Sequence, residues 1–156
     1  MTARYITTTL PYVNADPHIG FALELIQADA LARAWRLQGH DVFFNTGTDE
    51  HGQKIYEAAV KAGQEVHAYV DHYANEVKKL GGEDILNLSN DAFIRTTDEH
   101  HILAAQEMWR RCEAAGDIYK KQFEGLYCVG CEAYKTIREL ENGRCPLHPT
   151  LELQTV

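Results

Sequence analysis

The chain alternates between short apolar runs, typical of buried strands, and longer stretches in which apolar residues recur every three or four positions, typical of helices. Arg4 to Leu10 is rich in β-branched and aromatic residues and predicts a strand. Apolar positions from Ile19 to Leu37 share one helical face, with Asp16 predicted as the N-cap and Pro17 at the first helical position. Asp41 to Asn45 predicts a second, buried strand, which completes a βαβ unit.

The same alternation continues to about residue 117. The further elements predicted are helices over Glu50 to Ala62 and Gln64 to Leu80, a strand over Ala92 to Arg95, and a helix ending at Ala115 behind a Thr96–Glu99 capping box. Repeated alternation of strand and helix predicts an α/β fold with a parallel sheet. After Asp117 no helical period of useful length remains, so we predict a domain boundary there.

Length and charge narrow the classes of protein that fit this pattern. The 156 residues suffice for one ordinary domain with a small appendage. The formal charge of −8, from 15 basic and 23 acidic residues, argues against non-specific nucleic-acid binding, so any RNA contact must be local or lie elsewhere. No stretch has the roughly 20 apolar residues of a membrane span, and no secretory signal is evident, which predicts a cytoplasmic protein without membrane contact. The strand-like last six residues carry no terminating signal and suggest a fragment.

Three of the four cysteines crowd into one short segment together with a histidine. Cys128 and Cys131 form one pair at ligand spacing, and Cys145 and His148 form a second pair. Two such pairs predict a tetrahedral zinc site, and four protein ligands make the zinc structural, because no coordination position stays open. Cys112 lies in a helical pattern and is interpreted as a small buried hydrophobic residue.

Residues 10–21 connect the first predicted strand to the first helix. Open α/β sheets bind ligands at the carboxyl ends of their strands, and a helix amino terminus favours an anion such as phosphate. His18 can offer a ring N–H to a phosphate oxygen, or it can be a surface imidazole that caps a turn. Gly20 is costly in a helix, which a ligand approaching the backbone closely would explain.

Residues 46–54 leave the second strand in the same way and also lead into a helix. Asp49 in this segment can accept hydrogen bonds from a cationic amino group, and such charge-assisted bonds are strong. It can equally be the N-cap of the helix that follows. The two connecting segments are expected to flank one crevice.

At these residues the chain resembles a known family. The run HIGF at residues 18–21 is similar to the His-Ile-Gly-His signature of class I aminoacyl-tRNA synthetases, and TGTDEHGQK at residues 46–54 is similar to a segment of the methionyl-tRNA synthetases. The resemblance extends through residues 93–101, 115–119 and 124–136, and so covers nearly the whole chain. A zinc module that serves only as a protein or RNA docking surface would leave the run at residues 46–54 unexplained.

The resemblance implies a role for each matching residue. Leu10 and Tyr12 would line the methionine pocket, Asp49 would hold the methionine amino group, and His18, Gly20 and Glu24 would meet ATP. Phe21 departs from the family pattern. It occupies the position of the second signature histidine, which together with the first, here His18, would be a catalytic residue of the ATP site. A phenyl ring donates no hydrogen bond, so one donor to the transition state is missing, and either another residue compensates or activity is low.

The fold implied by the resemblance is a Rossmann-like doubly wound parallel sheet over residues 1–117, followed by an incomplete zinc-knuckle connective insert over residues 118–156. The implied reaction joins methionine to ATP, with Mg²⁺, to give methionyl-adenylate and pyrophosphate, and then transfers the methionyl group to its tRNA. The tRNA would be bound through regions mostly outside this chain. The family's second, lysine-rich signature is absent from the sequence, so the alternative is a truncated paralogue or isolated fragment that binds zinc or ligand without catalysis.

Overall fold

The computed structural model describes residues 2–122 and 125–155, which divide into two compact units, Met1–Arg110 and Arg111–Val156. Glu124, the first residue of the motif at residues 124–136, and the terminal residues Met1 and Val156 lie outside the described residues. The elements in chain order are β1 (Ala3–Thr7), α1 (Ile19–Leu37), β2 (Asp41–Thr48), α2 (Gln53–Lys61), α3 (Val66–Leu80), β3 (Ala92–Arg95), α4 (Glu99–Ala114), β4 (Leu126–Cys128), β5 (Ala133–Lys135), a 3₁₀ turn (Ile137–Glu139) and β6 (Gln154–Thr155).

The first unit contains a three-stranded parallel sheet in the order β1-β2-β3. Helix α1 connects the first two strands, and α2 with α3 connects the second and third. The α/β fold with a parallel sheet is therefore confirmed. Both connections step in the same direction across the sheet, whereas a doubly wound sheet also has strands reached in the opposite direction. The described strands thus make up one winding.

One face of this sheet carries the core. Ile6, Val42 and Phe44 alternate with outward-facing neighbours along their strands and pack against Ala32 of α1. Two further clusters involve the helices, one around Ile55 and Val70 and one around Phe21, Leu25 and Val77. Because residues 8–18 connect β1 directly to α1 and β2 runs parallel to β1, the carboxyl ends of both strands lie at the edge of the sheet where α1 begins.

Strand β2 is three residues longer than its apolar run predicted. Residues Thr46, Gly47 and Thr48 continue the strand because they pair with Phe93, Ile94 and Arg95 of β3. The pairing is close at Gly47, where an added Cβ would overlap the Ile94 carbonyl oxygen. Glycine is therefore required there, and polarity alone does not end the strand.

The predicted beginnings of helices α1, α2 and α4 are wrong, and α2 begins at Gln53 instead of Glu50. Helix α1 begins at Ile19 with His18 as its N-cap, so Asp16 is not the cap and Pro17 is not in the first turn. Helix α4 begins at Glu99, and its Ile102 N–H donates to the carbonyl of Asp98, so Thr96 does not form the predicted capping box. Both threonine and aspartate are common caps, and the sequence signal did not reveal that the Thr96 hydroxyl instead bonds Glu50 and Asp49.

The second unit is a small antiparallel sheet in the order β5-β4-β6. A reciprocal capping box of Thr136 and Glu139 closes its 3₁₀ turn. Among the residues described in this unit, the fully buried side chains are those of Cys128 and Cys145. The described part of this unit therefore has no apolar core. No helix in the described part of the chain is both long enough and apolar enough to cross a membrane.

Candidate functional site

A crevice of about 450 Å³ opens where β1 ends and α1 begins. Its lining includes five of the residues selected from the sequence, together with one that was not: Tyr12, His18, Gly20, Phe21, Glu24 and the unselected Thr9. Leu10 and Asp49 are not part of this lining, although both lie at the same edge of the sheet. The structure thus brings the selected residues of the HIGF run to one cavity.

His18 can cap the helix and still offer a hydrogen-bond donor, because the cap uses only one of its two ring nitrogens. Its Nδ1 accepts the Phe21 N–H at 3.2 Å, which caps the amino terminus of α1. A neutral imidazole that accepts at Nδ1 carries its proton at Nε2. The ring is exposed and lines the crevice, so Nε2–H is available to an anionic oxygen at the positive end of the helix.

Gly20 leaves room for this ring. A Cβ at Gly20 would lie 3.1 Å from both Nδ1 and Cε1 of His18, which is tighter than ordinary van der Waals contact. The sequence suggested that the absence of a side chain at Gly20 makes room for a ligand. The structure shows that the His18 ring already requires this space, without any ligand.

We therefore expect Gly20→Ala to displace the His18 ring with little net change in stability, because the gain of about 1 kcal/mol from alanine inside a helix offsets a lost N-cap of similar size. Long-range ¹⁵N–¹H spectra of the imidazole should change from one dominant Nε2–H tautomer to a mixture. The His18→Ala variant identifies the signals. An unchanged tautomer in Gly20→Ala would show that the ring accommodates the methyl group without losing its hydrogen bond.

Glu24 joins the helix to the end of β1. Its Oε1 accepts the Thr9 N–H at 2.7 Å, and its Oε2 accepts the Thr9 hydroxyl proton. Thr9 was not selected from the sequence, because a threonine at a strand end gives no distinctive signal. Together the two residues form one wall of the crevice.

Phe21 is only 5% exposed and packs against Leu25 and Val77, while the accessible part of its ring lines the crevice. Its side chain is therefore also a core side chain. A histidine in this position would bring an imidazole into contact with apolar groups, where a polar atom without a partner is costly.

Asp49 directly follows β2 and lies beside Tyr12, which belongs to the segment between β1 and α1. Its N–H donates to the carbonyl of Pro11 at 3.0 Å, and the backbones of Tyr12 and Asp49 form a parallel bridge. Helix α2 begins at Gln53 with Gly52 as its N-cap, so the interpretation of Asp49 as a helix cap is wrong. The partly buried carboxylate instead accepts the Thr96 hydroxyl proton at 3.4 Å.

The neighbouring Glu50 was missed by the sequence analysis. It is 4% exposed, and its carboxylate accepts a hydrogen bond from Arg95 Nε at 2.7 Å. Hydrogen bonding to Glu50 raises the pKa of the Arg95 guanidinium, and Asp71 acts in the same direction on its other arm. Both residues lie in the motifs quoted above, but nothing in the local pattern pairs positions 45 apart.

The four residues at ligand spacing converge in the second unit. The sulfur and nitrogen ligand atoms of Cys128, Cys131, Cys145 and His148 all lie within 4.8 Å of one another. Cys131 Sγ lies 3.5 Å from Cys145 Sγ and 3.2 Å from His148 Nδ1, and Cys128 Sγ lies 3.7 Å from the same nitrogen. Ligands around a tetrahedral zinc ion are separated by about 3.5 to 3.8 Å, given Zn–S bonds of about 2.3 Å. The cluster can hold a metal ion of that kind.

Gly130 determines where His148 can lie. A Cβ at Gly130 would be 2.5 Å from two ring carbons of His148, so only glycine leaves room for the imidazole between the two cysteines of the first pair. Gly143 adopts φ +76°, a left-handed conformation that favours glycine, in the turn before the second pair. The two glycines therefore serve the cluster in different ways.

The thiols of the cluster influence one another. Burial raises the pKa of Cys131, and contact with Cys145 and Cys128 raises it further. For Cys145, burial also opposes ionisation, but hydrogen bonds with His148 and Cys131 outweigh it and lower the pKa to about 6. Three adjacent thiolates repel one another unless a cation lies between them, which is the electrostatic condition that a divalent metal meets.

Comparison with known proteins extends over nearly the whole chain. The profile of the family described as tRNA synthetases class I (M) matches residues 4–152. The methionine–tRNA ligase of Thermotoga maritima is 47% identical over 146 residues, which is 91% of this chain and 23% of that protein. The methionine–tRNA ligase of Thermosynechococcus vestitus is 49% identical over 144 residues, covering 92% of this chain and 27% of that protein.

A solved structure matches the fold just as fully. The methionyl-tRNA synthetase of Mycobacterium tuberculosis in complex with methionyl-adenylate superposes with a TM-score of 0.89 at 40% identity, covering 100% of this chain and 31% of that one. The chain thus spans between about a quarter and a third of the length of these relatives. A leucyl enzyme at 18% identity shares the fold, with a TM-score of 0.78.

Proposed function

The chain belongs to the methionyl family of class I tRNA synthetases, and from this premise we propose that it supplies one side of the methionine and ATP sites of a methionine–tRNA ligase. The observation that carries the proposal is the crevice at the carboxyl end of β1, where His18, Gly20 and Glu24 meet at the amino terminus of α1. A methionyl-adenylate complex of a 40% identical relative supports both substrates.

In the proposed reaction the methionine carboxylate attacks the α-phosphate of ATP. A bond forms between a carboxylate oxygen and the α-phosphorus. The bond between the α-phosphorus and the oxygen that bridges to the β-phosphate breaks, and pyrophosphate leaves, with Mg²⁺ accompanying the ATP. The chain's own contribution is positioning and charge stabilisation. The His18 Nε2–H would donate to a phosphate oxygen, and the helix amino terminus would favour the same negative charge.

We propose the following roles for the other residues at this edge of the sheet. Leu10 and Tyr12 line the methionine pocket, and Asp49 accepts hydrogen bonds from the methionine ammonium group. Gly20 and Phe21 contact ATP near the phosphates, and Glu24 lies close to the adenosine. The adjacency of Asp49 and Tyr12 at the strand ends supports a shared amino-acid pocket, since a single small ligand can reach both.

For the fold we propose that residues 1–117 form half of a Rossmann-like doubly wound sheet and that residues 118–156 begin a zinc-knuckle insert. Cys128, Cys131, Cys145 and His148 would hold the zinc, which would supply a rigid cross-link in place of an apolar core. With four protein ligands it would take no part in the reaction. Free thiols of this kind need a reducing compartment, so the cytoplasm is the proposed location.

The final acceptor in the proposed reaction is the methionine tRNA. The formal charge of this chain is −8, because acidic residues outnumber basic ones, and a net negative charge disfavours binding to an RNA backbone. Most tRNA contacts are therefore assigned to other parts of the ligase. The alternative is a truncated paralogue or an isolated fragment without catalysis. A truncated paralogue predicts no methionine-dependent ATP–pyrophosphate exchange by the complete protein that contains this chain, here called the full-length protein. The ligase predicts a readily measured rate.

We expect Asp49→Asn to raise the KM for methionine by about tenfold or more while leaving the KM for ATP within about twofold, because an amide lacks the charge that strengthens a bond to an ammonium group. Pyrophosphate exchange in the full-length protein, measured at varied methionine and varied ATP, gives both constants. Asp16→Asn is the control for the loss of one carboxylate, since Asp16 lines the crevice, of which Asp49 is not part, and has no proposed contact with methionine. Equal effects on both substrates would contradict the assignment of Asp49.

A further inference from the structure

We propose that Glu50 is a positioning residue for methionine recognition: its buried side chain holds the segment from Arg95 to Thr97 so that the Thr96 hydroxyl orients the Asp49 carboxylate. This inference rests on the proposed function, because it takes Asp49 as the acceptor for the methionine ammonium group. It adds a residue that does not itself contact the substrate.

The Glu50 carboxylate is fully buried and fully engaged. Its side chain has no exposed area, and its Oε1 accepts from Thr48 Oγ1 at 2.6 Å and from Arg95 Nε at 2.7 Å. Its Oε2 accepts the Thr97 hydroxyl proton. A buried carboxylate is tolerated only with such partners, so its position is closely determined.

These contacts enclose Thr96 from both sides. The Glu50 side chain binds Arg95 and Thr97, which flank Thr96 in the chain, and the Glu50 N–H donates to Thr96 Oγ1 at 2.8 Å. Thr96 is also tied to β2 through its own N–H, which donates to the Thr48 carbonyl at 3.2 Å. Glu50 thus contacts three consecutive residues at the carboxyl end of β3.

The direction of the Thr96 proton follows from these bonds. A hydroxyl has one proton to donate, and here its oxygen already accepts from the Glu50 N–H. The proton is therefore directed to its other neighbour, Asp49 Oδ1, at 3.4 Å. This contact is long for an O–H···O hydrogen bond. An arrangement that holds Thr96 rigidly would limit the orientations that Asp49 can adopt.

Stability alone gives a poor account of this network. Well-packed apolar residues commonly replace a buried ion pair without loss of stability, so a charge retained at this depth points to a directional role. The outer arm of Arg95 reaches Asp71, whose side chain is 58% exposed, at 2.6 Å. That outer pair is screened by solvent and contributes little. The inner contacts to Glu50 are the ones adjacent to Asp49.

The test uses the full-length protein and four variants, Glu50→Gln, Thr96→Val, Thr96→Ser and the Glu50→Gln/Thr96→Val double variant. We expect Glu50→Gln and Thr96→Val each to raise the KM for methionine about tenfold, with the KM for ATP changed by less than about twofold. Thr96→Ser, which keeps the hydroxyl, should restore a nearly normal KM. The double variant should resemble the more severe single variant, since both act through one route.

Asp71→Asn is the matched control, because it removes the exposed partner of Arg95 without touching Glu50. It should leave both KM values unchanged. A Glu50→Gln protein with a lower melting temperature but normal KM values would overturn the inference, as would multiplicative effects in the double variant. If Glu50→Gln does not fold, Thr96→Val decides alone, and a normal methionine KM in that variant would overturn the inference.

The Asp49→Asn result separates the two proposals. If Asp49→Asn leaves the methionine KM unchanged, the proposed role of Asp49 fails and this inference fails with it. If Asp49→Asn raises the KM but Glu50→Gln and Thr96→Val do not, only the inference fails.

Discussion

The Cys145→Ser variant is expected to lose the proposed zinc binding and, with it, the fold of the second unit. Structural zinc contributes about 10 to 16 kcal/mol in small zinc-binding peptides, and a serine hydroxyl does not replace a thiolate ligand. The described part of this unit buries Cys128 and Cys145 and has no apolar cluster that could compensate. The parallel sheet has its own core in the first unit and should remain folded.

Elemental analysis and amide hydrogen exchange test this expectation together. The wild-type protein should carry about one zinc per chain, and Cys145→Ser should carry almost none, with exchange protection lost in β4 and β5 and retained in β1 and β2. Cys112→Ser is the matched control, because it removes a cysteine outside the cluster and should leave the zinc content unchanged. Full zinc content in Cys145→Ser would exclude this ligand set.

The second large effect is expected for His18→Asn in the full-length protein. Asparagine is a good N-cap, so helix α1 should keep its first turn, but the imidazole Nε2–H that we propose as the phosphate donor is lost. Removal of one such donor lowers kcat by about 100- to 1000-fold in other enzymes. We expect a loss of that size in methionine-dependent pyrophosphate exchange, with the melting temperature nearly unchanged.

His67→Asn serves as the comparison for this measurement, because His67 is an exposed histidine in the first turn of α3. It should retain normal exchange activity. A His18→Asn enzyme with activity close to the wild type would mean that His18 is only a helix cap, which is the alternative that the sequence left open. A loss of activity accompanied by unfolding would instead assign the effect to the lost cap.

Phe21 illustrates how far a family signature can be carried from sequence. The resemblance identifies it as the position of a second histidine, and on that basis alone a histidine here would restore a hydrogen-bond donor. The structure adds that the ring packs against Leu25 and Val77. Replacement by histidine therefore exchanges a core contact for a donor, and the two effects oppose each other.

The sequence by itself determined the features that depend on residues close together in the chain. Strand and helix periods predicted the α/β fold, because burial on one face repeats every two or every 3.6 residues. The paired spacings selected all four members of the metal cluster, because two ligands on one turn must be neighbours in sequence. The HIGF run predicted a ligand site at a helix amino terminus for the same local reason.

Tertiary structure alone decided which distant groups meet. Glu50 and Arg95 are 45 positions apart and come together only through the register of β2 and β3, which no local pattern encodes. From the sequence, the Thr96 hydroxyl could cap a helix. In the structure, the register of the strands places it beside Asp49 and Glu50 instead. Gly130 likewise gains its importance from the His148 ring that lies against it. The importance of these residues comes from contacts between distant parts of the chain and not from periodicity. Glu50 and Thr96 matter through their hydrogen bonds, and Gly130 matters because a side chain there would overlap the His148 ring in a closely packed site.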